Sequence, residues 1–85
     1  MKISVRYFAA IREALGPGED LHFEEDGPVD VRTLLDWLAR QSPSHDLALK
    51  KEKSVRTACD HVMCGLDEAL HDGVEVAFFP PVTGG

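Results

Sequence analysis

Long apolar runs are missing from this 85-residue chain. No stretch approaches the ~18 residues of a membrane span, and the first residues lack the charged-then-apolar pattern of an export signal. A cytoplasmic location is expected, with no membrane partner. Cations are scarce: Lys plus Arg number 9 against 15 Asp plus Glu, for a formal net charge of -6. That balance repels phosphate backbones, so nucleic acid is not an expected partner. Cysteine is limited to Cys59 and Cys64; their number allows one disulfide, but without an export signal both thiols are expected to stay reduced. Phosphate-binding loops are absent as well. Gly16-Pro17-Gly18 has the wrong spacing for the dinucleotide fingerprint, and no Gly-Lys-Ser/Thr follows it.

One cluster invites a metal reading. Cys59, His61 and Cys64 form Cys-x-His-x-x-Cys, and thiolate and imidazole are both zinc ligands. The segment reads as strand and turn, however, where neighbouring side chains point to opposite faces and do not all converge on one ion. No fourth ligand is evident. Buried structural thiols are the favoured reading, and no metal site is expected.

The length fits one domain with a modest core, and 44% hydrophobic residues is ordinary for a folded chain. Lys2 to Phe8 alternates as a strand, with Ile3, Val5 and Tyr7 on one face and Phe8 on the other. Ala9 to Leu15 permits a short helix, closed by the Gly16-Pro17-Gly18 turn. Leu21 and Phe23 alternate with His22 and Glu24 in a second strand, expected to form a hairpin with the first. Asp30 stands as an N-cap before Val31, Leu34, Leu35 and Leu38, whose spacing lines one face of a helix. Ser42-Pro43 is expected to stop that helix, and Trp37 is expected to pack at the core's edge. Ser44 to Lys53 suggests a loop holding one turn of helix, with the Lys50, Lys51 and Lys53 cluster read as solvated surface. Val55 to Met63 fits one strand turning into another around Asp60-His61. Leu70-His71-Asp72-Gly73 turns into a final strand, Val74 to Phe79.

Parity along these strands selects a surface. Val74, Val76 and Phe78 share one face, and Glu75, Ala77 and Phe79 share the other. A helix with one apolar stripe covers one sheet face, leaving Phe8 and Phe79 on the uncovered side. Met63 joins them if Val62 and Cys64 point inward. Large apolar groups gathered on an open face mark a partner site.

The chain closes with Phe78-Phe79-Pro80-Pro81-Val82-Thr83-Gly84-Gly85. Two prolines fix φ and remove donors, so this stretch is expected to leave the domain as an extended arm. Gly84 and Gly85 lack a Cβ and pass through a slot too narrow for side chains. The alternative is an ordinary frayed end, which needs no stiff spacer before it. Two parts are therefore expected, a domain over 1–79 and a tail over 80–85.

The tail, preceded by Asp72-Gly73-Val74-Glu75-Val76-Ala77, and the opening Tyr7-Phe8-Ala9-Ala10-Ile11-Arg12-Glu13 resemble the molybdopterin synthase small-subunit family, sulfur carriers with the ubiquitin-like β-grasp fold. The resemblance covers the whole chain. It departs at Ala58-Cys59-Asp60, where the family usually has an apolar residue followed by asparagine, which bears on the local turn. It implies an α+β fold, a mixed sheet of four to five strands covered on one face by one long helix, with a flexible C-terminal Gly-Gly tail.

The family's chemistry would run through the terminal glycine. A carboxylate is fully ionised at neutral pH and is a poor electrophile. A ubiquitin-activating-like adenylyltransferase would use ATP to convert Gly85 to an acyl adenylate, and a persulfide sulfur donor would displace AMP, leaving a 1-thioglycine thiocarboxylate. No cofactor would be permanently bound. Pro80 and Pro81 would set the reach, Val82 and Thr83 would fill the tunnel mouth, and Gly84 would give clearance. Phe8, Met63 and Phe79 would contact the large subunit of a heterotetramer, where sulfur attacks cyclic pyranopterin monophosphate in a sulfurtransferase reaction that builds the molybdopterin dithiolene. Acids, bases and phosphate-binding cations would lie on that partner. The same terminal chemistry serves carriers for thiamine thiazole or tRNA thiolation, and a protein modifier joined to lysines through Gly85 is the reading from another class.

Overall fold

The computed structural model describes residues 1–49 and 55–81. Among these residues eight elements follow in the order β1 (Lys2–Tyr7), α1 (Ala9–Leu15), β2 (Gly18–His22), α2 (Val31–Ala39), α3 (Pro43–Ala48), β3 (Arg56–Cys59), β4 (Val62–Cys64) and β5 (Val74–Phe79). The five strands form one sheet in the order β2-β1-β5-β3-β4. β5 lies at its centre, parallel to β1 and antiparallel to β3. The sheet is thus mixed, and β2 and β4 are its edges.

Alternation places Ile3, Val5, Tyr7, Val74, Val76 and Phe78 on one face, where all are buried. Against them pack Val31, Leu34, Leu35 and Leu38, the full apolar stripe of α2. A reciprocal cap fixes the start of that helix. The Asp30 carboxylate accepts the Thr33 amide at 2.9 Å, and the Thr33 hydroxyl accepts the Asp30 amide at 3.1 Å. Trp37 sits half-buried at the core's edge, its ring edge-on to Phe23 with centroids 5.1 Å apart.

Three expectations need correction. The cover over the sheet is not one long helix: α2 has nine residues, and Ile11 of α1 with Ala48 and Leu49 of and after α3 complete the same layer. Nor does Ser42-Pro43 end α2, which closes at Arg40. The pair opens α3 instead, with Ser42 accepting the His45 amide at 3.1 Å. Proline occupies the first turn of that helix, where its missing amide costs no helical bond. The second strand begins at Gly18 rather than near Leu21, and Phe23 lies beyond it. A Cβ on Gly18 would stand 2.1 Å from the Val5 carbonyl oxygen, so the strand starts at the one residue able to approach that closely. It pairs antiparallel with β1 as expected, but α1 fills the connection in place of a tight turn. The Lys50, Lys51 and Lys53 cluster lies outside the described residues.

A part-buried polar chain fastens α3 to the sheet. The Tyr7 hydroxyl donates to Glu19 Oε2 at 2.6 Å, the same oxygen lies 2.7 Å from His45 Nε2, and His45 Nδ1 meets the Ser42 hydroxyl at 2.7 Å. Burial alone would raise the Glu19 pKa, yet hydrogen bonds from Tyr7 and His45 and the charge of His45 hold it below the ordinary carboxylate value.

Candidate functional site

The uncovered sheet face can be assembled from the strand registers. Arg6 lies opposite Ala77, Ala77 opposite Ala58, and Ala58 opposite Met63, a row crossing four strands. Next to it Phe79 pairs with Arg56. Phe8 continues β1 by one extended residue, its amide donating to the Phe78 carbonyl at 3.1 Å. The backbone then turns at Ala9 with φ 53°, and α1 passes to the covered side while Phe8 stays on the open one. Phe8 is 46% exposed and Met63 60% exposed, with Phe79 half-buried. These three predicted contact residues therefore share a face, around a low floor of alanines flanked by two guanidiniums.

Val62 departs from expectation. It has the inward parity but is 68% exposed, because the three-residue edge strand β4 reaches past the helical layer. Cys64, two residues on, is half-buried and packs on the core.

The other end of the face is acidic and imidazole-bearing. Asp60 Oδ1 accepts the Glu75 amide at 3.0 Å, Asp60 Oδ2 lies 2.9 Å from His71 Nε2, and His61 Nε2 lies 3.4 Å from Glu75 Oε2. The Glu75 amide and then His71 hold the Asp60 carboxyl below its usual range. The Asp72 carbonyl beside the ring, followed by Asp60, raises His71. Asp60, His61 and His71 are exposed, Glu75 is half-buried, and the four are paired with one another, without a nucleophile. Among the described residues no three His, Cys, Asp or Glu side chains are grouped to hold a metal ion. His61 turns to Glu75 while Cys59 and Cys64 face the helices, so the Cys-x-His-x-x-Cys triplet is divided between the two sides.

β5 delivers the chain out of this face. Its last residue, Phe79, is held by Arg56 on β3, and half-buried Pro80 and Pro81 follow. Val82, Thr83, Gly84 and Gly85 lie outside the described residues. Chemically the face offers shape, apolar contact and two guanidiniums. That suits recognition of a protein surface. Arg6 and Arg56 were absent from the residues selected by sequence. The outward parity of Arg6 was available there, but their places beside the apolar row depend on strand order, which local patterning does not supply.

A mixed five-stranded sheet with its last strand central, parallel to the first, and with helices on one face defines a ubiquitin-like β-grasp protein. The chain belongs to the ThiS family, whose model matches residues 5–85. It is 41% identical over 83 residues to the molybdopterin synthase sulfur carrier subunit of Escherichia coli (strain K12), covering 98% of this chain and 99% of that one. The protein of the same name from Haemophilus influenzae is 36% identical over 83 residues, with the same coverage. Among solved structures, the putative molybdopterin converting factor subunit 1 of Pyrococcus furiosus superposes with a TM-score of 0.73 at 28% identity, over 96% of this chain and 99% of that one. Among the described residues no helix is long and apolar enough to cross a membrane.

Proposed function

We propose that this chain is the sulfur carrier and small subunit of a molybdopterin synthase, a component of a sulfurtransferase complex without a catalytic site of its own. The observation that carries the reading is the exit of the central strand at Phe79 on the open face that also carries Phe8 and Met63. Its support is the full-length similarity to proteins named as sulfur carrier subunits. In this reading residues 80–85 form the arm. ATP-dependent adenylation activates Gly85, a persulfide sulfur displaces AMP, and the resulting thiocarboxylate attacks cyclic pyranopterin monophosphate held by the large subunit. Two transfers build the dithiolene. Phe8, Met63 and Phe79 seat the domain on the large subunit, Pro80 and Pro81 fix the reach, and Val82, Thr83 and Gly84 occupy the entry to the partner's pocket. The acidic charge of the carrier favours a basic partner surface.

Reconstitution with a large subunit and the pyranopterin substrate tests this reading. Thiocarboxylated protein is expected to yield dithiolene product and the unmodified carboxylate form none. Equal turnover from both forms sinks the proposal. Phe8→Ser and Met63→Ser, both at exposed positions, are expected to weaken the large-subunit complex by at least about tenfold each, the scale of interface anchors, with unchanged melting temperatures. Intact mass spectrometry of the cellular protein separates the alternatives, since a modifier would appear as adducts on lysines of other proteins.

A further inference from the structure

The hairpin of β3 and β4 carries a pair of thiols on the side away from the open face. Cys59 and Cys64 are both free and half-buried. Thr57 lies opposite Cys64 and Cys59 opposite Val62, so the cysteines are diagonal neighbours on one face of the hairpin. Their sulfurs are 3.2 Å apart, within reach of a thiol–thiol hydrogen bond. Nearly buried Thr57 holds the other side: its hydroxyl donates to the Cys64 carbonyl at 2.8 Å and lies 3.6 Å from the Cys64 sulfur. A disulfide bond is about 2.05 Å long, leaving roughly 1.2 Å of travel for closure. β4 can supply it, being three residues long and, among the described residues, paired only with β3.

We propose that Cys59 and Cys64 form a dithiol site that closes reversibly to an intrachain disulfide by exchange with small disulfides of the glutathione class. This goes beyond the sulfur-carrier reading and does not rest on it. Cys64 enters first. Its thiolate attacks one sulfur of the small disulfide, forming a mixed disulfide and expelling one thiolate. Cys59 follows, because burial first, then the hydrogen bond and charge of Cys64, with Glu68 and Asp60 adding, push its thiol up to about 12. Capping Cys64 removes that residue's own share of the effect. The Cys59 thiolate then attacks the Cys64 sulfur, the mixed disulfide breaks, and a second small thiolate leaves. Two protein thiols are oxidised, one small disulfide is reduced to two thiols, and the two protons pass to the released thiolates. Closure ties a ring across the Asp60-His61 turn and pins the strand that bears Met63.

The test equilibrates the full chain in buffers of graded reduced and oxidised glutathione, followed by acid quench, alkylation and intact mass measurement. A single transition is expected, to a monomer that has lost both alkylatable thiols and the mass of two hydrogens, reversed by dithiothreitol. Cys59→Ser is expected to take up one glutathione, and Cys64→Ser to react more slowly. Two alkylated cysteines at every ratio would overturn the proposal, as would an end state bearing stable glutathione on both sulfurs or an interchain dimer. The wild-type titration decides by itself, so a variant that does not fold leaves the outcome clear.

Discussion

Alkaline titration probes the polar chain that fastens α3 to the sheet, because Tyr7 is the only tyrosine in the protein. Its side chain is fully buried. Burial first, then the hydrogen bond to Glu19 and the charge of that carboxylate, hold its phenol far above the ordinary value of 10.0. The unfolded chain releases this proton near the ordinary value and the folded chain retains it. A pKa raised on folding contributes fully below the unfolded pKa and is lost as pH rises. Above about pH 10 each further unit therefore withdraws about 1.4 kcal/mol of stability. A chain of this length has a total of roughly 4–13 kcal/mol, so two units remove about 3 kcal/mol, a large share of it. Urea midpoints of wild type and Tyr7→Phe, measured across this range, give the effect as their difference, which cancels the lysines common to both. Tyrosinate absorbance is followed beside far-ultraviolet circular dichroism. The two signals are expected to change together and steeply, with no tyrosinate in the folded chain. A smooth absorbance curve centred near pH 10 while the dichroism stays native would refute the reasoning. Glu19→Gln adds a check at the acid end. A carboxyl with a depressed pKa stabilises above its unfolded value of 4.5 and loses that contribution as pH falls through its folded value, so the variant's stability should fall less on acidification.

Two further outcomes concern the β3–β4 turn. Asp60 and His61 occupy its centre with φ 48° and 70°, the left-handed region that favours glycine. His61→Gly removes a strain of about 1–2 kcal/mol against a flexibility cost of about 0.5–1 kcal/mol. A net gain of about 0.5 kcal/mol is expected, read as a melting point higher by about 2–4 °C. Proton NMR of the imidazoles should place the His71 midpoint above 6.5 and return it toward that value in Asp60→Asn. Because the raised histidine contributes below its unfolded pKa and is lost as pH rises through its folded one, the stability gap between wild type and Asp60→Asn should narrow toward alkaline pH.

Much of this architecture was legible wherever a local rule and the tertiary fold agree. Asp30 reads as a cap and Val31, Leu34, Leu35 and Leu38 as a stripe, and both hold because α2 meets the sheet with one face. Val74 to Phe79 was bounded by Gly73 and Pro80, residues whose backbone constraints act without neighbours. Phe8, Met63 and Phe79 reached the same face by parity, a property internal to each strand. Misreadings arose where context decides. Ser42-Pro43 is compatible with ending one helix and with starting another, and only the packing of Ala48 and Leu49 selects the second. The start of β2 depends on the approach of Gly18 to Val5, a contact no local pattern contains. Val62 is exposed because the sheet outruns its helical cover, a matter of element length across the whole domain.

The central position of β5 also has a mechanical consequence. Traction on the segment beyond Pro81 runs along a strand clasped on both flanks, by β1 and by β3, so it loads two ladders in shear and must break many bonds at once. The same force applied at β4, with a neighbour on one side only, would peel bonds one after another. A threading protease pulling on this molecule from beyond Pro81 thus begins at the hardest place to start.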